Sequence, residues 1–178
     1  NFYWQPDALT STNVELENPD SGDVWGFHRE QYRDFSAHIG GPIKKDKLWF
    51  FGATRRWRLD QLQIGARNPD GSQALDDNRI ENYMGKLSWQ AAANTRASVM
   101  FNRNLKYRFH RRDAPYLFVE DKASVLQDQP AQNYVVQLNQ VVGQRGVLDL
   151  RVGRMWGEFP SRYQKDVTSG DIAIRDTV

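Results

Sequence analysis

The chain has 178 residues, no cysteine, and 24 basic against 22 acidic side chains, for a formal net charge of +2. That balance excludes a global field of the kind that drives non-specific nucleic-acid binding, and the lack of cysteine excludes a disulfide framework or a thiolate metal site. Aromatic residues make up 12% of the chain although mean hydropathy is only −0.74, a pairing that suits strands apolar on one side and polar on the other.

No run approaches the roughly 20 apolar residues of a membrane-spanning helix. The opening Asn1-Phe2-Tyr3-Trp4 has neither the basic start nor the small-residue cleavage site of a signal peptide, and both ends read as cuts through a larger protein. Residues 1–32 are expected to finish one strand, Asn1 to Gln5, and then form an outer loop. Period-2 alternation predicts about six strands within 33–158: Arg33 to Gly40, Lys47 to Leu59, Arg79 to Gln90, Thr95 to Tyr107, Gln132 to Val142 and Gly146 to Glu158. Residues 159–178 are read as a further outer loop.

The connections alternate in length. Gly40-Gly41-Pro42 opens a short one, in which two glycines are expected to supply positive φ and Pro42 lacks a ladder donor. Asp60 to Asn78 is long and carries Asn68-Pro69-Asp70-Gly71, Ala91 to Asn94 is short, Arg108 to Ala131 long, and Gly143 to Arg145 short. In an up-and-down meander this puts every short turn on one rim and every long loop on the other, the asymmetry of outer-membrane barrels with short periplasmic turns and long outer loops. The fold class expected is therefore all-β, an antiparallel meander cut from a transmembrane β-barrel.

Alternate positions of the strands that leave a short turn give Trp49, Phe51, Ala53, Arg55, Trp57, then Ala97, Val99, Phe101, Arg103, Leu105, Tyr107, then Leu148, Leu150, Val152, Arg154, Trp156. These sets are assigned to lipid, and Leu48 and Phe50 to the inward parity. On the returning strands Tyr83, Leu87 and Trp89 share a face, as do Tyr134, Val136, Leu138 and Val142. Trp49, Trp57, Tyr83, Trp89, Tyr107, Tyr134 and Trp156 are the expected aromatic belts at the membrane interfaces. Arg55, Arg103 and Arg154 each fall eight residues past the start of their strand, beside the outer belt. They are the expected contacts to lipopolysaccharide phosphate, with plain snorkelling from the strand ends as the other reading. The competing account of the aromatics is a soluble sandwich core.

The segment Phe35-Ser36-Ala37-His38-Ile39-Gly40-Gly41-Pro42-Ile43-Lys44-Lys45-Asp46-Lys47-Leu48-Trp49-Phe50-Phe51-Gly52 resembles the LGGPI-x-KDK-x-FFFG hairpin of Oar-like TonB-dependent transporters. A weaker likeness runs through Asn78 to Trp89 and from Asp128-Gln129-Pro130 to Gly157. The resemblance implies a large outer-membrane barrel, often with an N-terminal carboxypeptidase-regulatory-like domain, that imports a bulky nutrient or chelate with energy delivered through TonB. The plug domain, the TonB-contacting box and the closing strand are not among these residues, so the resemblance assigns no transport residue here.

Catalytic chemistry has little to stand on. His28, His38 and His110 lie far apart without metal-ligand spacing, no nucleophile elbow or phosphate-binding glycine loop is present, and His38 is expected to line a lumen. Asp70, Asp76 and Asp77 lack the alternation and the Glu of a calcium loop and read as solvated turn residues. Arg55-Arg56-Trp57-Arg58 and Arg108-Phe109-His110-Arg111-Arg112 interleave base with aromatic, as single-strand grooves do, yet both fall at outer strand ends, where lipopolysaccharide or another anion explains them. The expectation is a non-enzymatic wall of an outer-membrane transporter, without cofactor or nucleic-acid partner, contacting membrane lipid, the rest of its barrel and plug, and TonB through other segments. The alternative is a soluble carbohydrate-binding β-sandwich using Trp57 or Trp25 as a sugar platform.

Overall fold

A computed structural model describes residues 1–9, 16–18, 23–25, 29–68, 70–111 and 121–171. The strands are β1 (Phe2–Pro6), β2 (Leu16–Asn18), β3 (Asp23–Trp25), β4 (Arg29–Lys44), β5 (Leu48–Arg67), β6 (Gln73–Ala92), β7 (Thr95–Arg111), β8 (Val125–Val142), β9 (Gly146–Gly157) and β10 (Ser161–Tyr163). Two single 3₁₀ turns, Asp7–Leu9 and Asp121–Ala123, are the only helical elements among the described residues. No helix there is long and apolar enough to cross a membrane.

All the long strands belong to one antiparallel meander, with β1 on the free edge of β4 and β9 and β10 successively along the free edge of β8. The sheet is open, and β2 and β3 form a separate ribbon. Each expected strand is present, and most are longer. The stretch from Asp60 to Asn78, expected as a loop, largely continues β5 and β6 with the register kept through Asp60↔Asp77 and Leu62↔Leu75. Aspartates and glutamines make poor strand formers by propensity, so local reading stopped too early; the ladder to a neighbour carries them.

The hairpin closes where Asn68 N donates to Ser72 O at 2.8 Å and Gly71 N to Asn68 O at 2.9 Å. Gly71 takes φ 85°, the left-handed region that favours glycine. The short turn after β4 is built differently from expectation. Gly40, Gly41 and Pro42 stay in the strand, opposite Phe51, Phe50 and Trp49, and the turn falls at residues 45–47, with Asp46 at φ 58°. Gly40 is needed for close approach instead: a Cβ there would stand 3.0 Å from the Phe50 carbonyl and 3.1 Å from the Phe51 ring. Pro42 lies at the register shift next to Lys44, where a missing donor is tolerated.

Gly40→Ala is therefore expected to lower the denaturant midpoint, with a loss of ~1–3 kcal/mol in unfolding free energy, the usual overpacking cost. Gly85→Ala, where a Cβ meets nothing within 4 Å, leaves it unchanged or higher. Equal midpoints for the two variants would contradict the close packing at Gly40.

Candidate functional site

Cross-strand partners in an antiparallel ladder project to the same side of the sheet, and successive residues alternate sides. Between β4 and β9 the register shifts fall at strand ends, so partners fix the face of each central side chain. One face is polar: Ser36, Arg55, Asn82 and Asn104 form one row, Met84, Asn102 and Asn133 another, and Gln90, Arg96, Asn139 and Asp149 a third. Asn82 Nδ2 donates to Oδ1 of Asn102 at 2.8 Å and to Oδ1 of Asn104.

The other face is apolar. Phe50, Leu87, Val99, Val136 and Val152 make one row, and Ile39, Gly52, Gly85, Phe101 and Tyr134 the next. Phe101 and Tyr134 pack ring to ring at 5.0 Å. This face is uncovered, with Val136 54% and Val152 73% exposed, and Ala74 is the one apolar side chain buried among the described residues. A single layer cannot shield such a surface, and soluble domains solve the problem with a second layer.

The apolar surface ends along a slanted line. Moving outward on this face, past Thr95 and Gln140 beside the short turns and Thr54 on β5, the apolar stretch ends at Arg33 on β4, Arg56 on β5, Glu81 on β6, Arg103 on β7, Gln132 on β8 and Arg154 on β9. Traced through the ladder, Arg33 lies in the row of Arg79, Arg56 in that of Glu81, Arg103 and Gln132 in that of Tyr83, and Arg154 in that of Gly85. The turns drift the same way: β4–β5 closes level with Trp89, β6–β7 at Ala92, and β8–β9 at Val142, two positions past Gln140, which is level with Ala92 through Thr95. Both margins thus step by about 1.2 residues per strand, which with ~3.3 Å rise and ~4.8 Å strand spacing is a slope of about 40°. Along the axis that this slope defines, they lie about 20–28 Å apart.

The register corrects the face of one strand. Trp49, Phe51, Ala53, Arg55 and Trp57, expected on the apolar side, lie opposite Ser88, Lys86, Met84, Asn82 and Ile80 on the polar face, while Leu48 and Phe50 take the apolar one. Trp57 packs edge-on against Tyr32 at 6.2 Å and Trp49 lies 5.9 Å under the Arg96 guanidinium. Tyr83, Trp89, Tyr107, Tyr134 and Trp156 do share the apolar face. Arg55 is separated from Arg103 and Arg154; its neighbour Arg56 stands on the apolar margin in its place. The two basic clusters are split likewise, Arg55 and Trp57 to one face, Arg56 and Arg58 to the other. His38 stands on the polar face, stacked 6.2 Å from Phe51. His28, Arg112 and the Trp25 side chain lie outside the described residues.

Toward the outer ends the strands carry buried carboxylates that sequence reading placed in solvated turns. Asp76, 5% exposed, accepts 2.8 Å and 2.6 Å bonds from Arg108 Nε and Nη2. Asp77 meets His110 Nδ1 at 2.8 Å, and Asp60, directly opposite Asp77, accepts from Arg58 Nε at 2.8 Å. Opposed like charges are unfavourable across a ladder; the Arg58 guanidinium offsets them, and the His110 ring bonds Asp77. On the polar face Asp34 takes a forked bond from Arg55 at 3.0 Å and 2.6 Å and a third from the Tyr32 hydroxyl at 3.3 Å. No group of three metal-binding side chains occurs among the described residues.

The segment after β10 is tied back to the 3₁₀ turn before β8, where Lys122 Nζ donates to Asp171 at 2.6 Å. That bond first, then the Thr168 amide and hydroxyl, lower the Asp171 carboxyl from 3.8 to about 2.

Two comparisons return nothing: no family model matches the chain, and no solved structure matches it. A curated protein does, the TonB-dependent transporter Oar of Myxococcus xanthus, 27% identical over 110 residues that make up 48% of this chain and 10% of that protein. The chain therefore spans about a tenth of the length of that distant relative.

The ion pairs give two expectations. Asp76→Ala is expected to cost ~2–3 kcal/mol in denaturant unfolding because it removes the partner of the half-buried Arg108, whereas Asp34→Ala, whose partner Arg55 is 58% exposed, costs ~1 kcal/mol or less. Equal losses would refute the ranking. A lowered carboxylate pKa adds stability above its ordinary range and loses it as pH falls through the folded value. Protease protection of the segment after β10 should therefore hold from neutral pH down to ~4 and fail toward ~2, while Asp171→Asn weakens it throughout.

Proposed function

We propose that this chain is a section of the wall of an outer-membrane β-barrel, in a TonB-dependent receptor that imports a bulky nutrient or chelate. The observation that carries the reading is the slanted pair of margins. A membrane is a slab, and strands crossing it obliquely must exchange apolar for polar side chains at a row that shifts steadily from strand to strand. The slope of about 40° falls within the 35–45° tilt of membrane barrels, and the separation of the margins brackets their ~25 Å apolar band.

In this reading the apolar face meets lipid and the Asn-rich face lines a lumen. The deep, paired backbone satisfies every ladder group between neighbours, because hydrocarbon offers none. Tyr83, Tyr107, Tyr134 and Trp156 form the outer belt and Trp89 the inner one, with Gly40, Gly41 and Pro42 at the periplasmic rim. The distant likeness to the Oar transporter supports import as the activity. Plug and TonB contacts belong to other parts of such a protein, and the wall itself does no catalysis. A carbohydrate platform at Trp57 has less support, since that ring is half-buried against Tyr32.

Two measurements test this. The full-length protein is expected in isolated outer membranes, with a boiling-dependent mobility shift on a detergent gel; recovery in the soluble fraction without a shift would favour the sandwich. In the folded barrel, Val99→Arg at mid-height of the apolar face should cost ~2–4 kcal/mol, and Ser98→Arg on the adjacent lumen position ~1 kcal/mol or less. Equal costs at the two positions would sink the assignment of faces.

A further inference from the structure

The margin of the apolar face is chemically one-sided. Arg33, Arg58 and Arg79 sit directly opposite one another across three adjacent strands, and Arg56, Arg103 and Arg154 continue the line toward β9. Against these six cations the same band holds few acids. Glu81 is shared between Arg56 at 3.5 Å and Arg79 at 3.3 Å, and Asp60 is taken by Arg58. Arg33, Arg103 and Arg154 have no carboxylate partner among the described residues.

Like charges placed opposite one another across a ladder destabilise it, and Asp60 and Glu81 offset only part of the row's charge. Arg79 is held in place, its guanidinium carbon 4.6 Å from the Tyr107 ring centroid and 5.4 Å from that of Phe109. Its Nε lies 3.3 Å from Glu81 Oε1, an ion-pair contact without hydrogen-bond geometry. Arginine presents a planar fork suited to phosphate oxygens and is less strongly hydrated than lysine. Further toward the short turns the same face carries Ile39, Leu87, Val99, Val136 and Val152, all apolar and exposed, with the half-buried Phe50 among them. Charge above and hydrocarbon-compatible surface below describe one kind of ligand.

We propose that Arg33, Arg58 and Arg79, extended by Arg56, Arg103 and Arg154, bind the phosphate groups of a membrane lipid whose acyl chains lie along the apolar face beneath them. This rests on the membrane reading above. The slant of the margin gives it its form: Arg33, Arg56, Arg103 and Arg154, in different ladder rows, come to one depth, and Arg58 and Arg79 stand a few ångströms (~3–6 Å) further out, so a phosphate layer of ordinary thickness meets all six.

The test uses the full-length protein extracted from its membranes in non-ionic detergent. Binding of diphosphorylated lipid A and of its dephosphorylated counterpart is measured by native mass spectrometry, with the boiling-dependent gel shift recorded for every variant. The phosphorylated lipid should bind about tenfold more tightly, inorganic phosphate in excess should not displace it, and R33Q/R58Q/R79Q should abolish the preference. R55Q, on the opposite face, should keep it. R103Q/R154Q, with two exposed side chains exchanged, should weaken it and serves if the triple variant fails to fold. Equal binding of the two lipids, displacement by inorganic phosphate, or an equal loss in R55Q would overturn the proposal. A protein that keeps its gel shift yet shows no preference refutes the lipid site alone, whereas one without a shift refutes the barrel as well.

Discussion

The uninterrupted antiparallel ladder from β4 to β9 is the constraint on which the rest of the molecule depends. In a single layer without a core, it is the backbone pairing between neighbours that fixes each strand, and a slip of one residue would move a whole strand's side chains to the wrong face. That is why the register shifts sit at the strand ends, beside Pro42, Gln90, Leu62 and Arg108. It is also why Gly40 is glycine: the strands approach closely there, and a Cβ would press on the Phe50 carbonyl.

With the ladder fixed, side-chain chemistry sorts by height as well as by face. The middle rows pair glycine, valine, leucine and phenylalanine on one side with a mixture on the other, asparagine and lysine among Phe51, Met84, Met100 and Val135. The outer rows hold Asp60, Asp76 and Asp77, each in a bond to Arg58, Arg108 or His110. On the apolar face charged side chains are confined to the outer rows, where water or a counter-ion is within reach, because an unpaired charge taken out of water costs several kcal/mol. The boundary between these zones is oblique to the hydrogen bonds, which a core-forming sheet has no reason to display so regularly on six strands.

The energetics of the two faces differ in kind. On the polar face the Asn82 amide bonds to Asn102 and Asn104, and the Asp34–Arg55 fork holds neighbouring strands together by short polar contacts. On the apolar face little is gained within the sheet itself, since Val136, Val152 and their neighbours remain open. Their transfer out of water, worth roughly 25 cal/mol per Å² of apolar area, depends on what covers them. The fold is thus completed by its surroundings.

Several features were legible from residue order alone. Alternation marked six strands, glycine and aspartate marked the connections, and the parity of Tyr83, Leu87 and Trp89 gave the apolar face of β6, because on those strands one parity is clearly polar. The sequence Leu48-Trp49-Phe50-Phe51 is apolar at both parities, and Arg55-Arg56-Trp57-Arg58 is basic at both, so periodicity could not assign β5. Only its pairing with β6, which sets Gly52 opposite Gly85 and Arg55 opposite Asn82, decided that Trp49 and Trp57 face the polar side and Arg56 the apolar margin. The same holds for Asp76 with Arg108 and Asp34 with Arg55, ion pairs made across strand pairings between residues 32 and 21 positions apart. Residue order therefore determined strand, turn and two-sidedness, which are local properties of period and propensity. Tertiary structure decided face, depth and partner, because these are set by the register between strands.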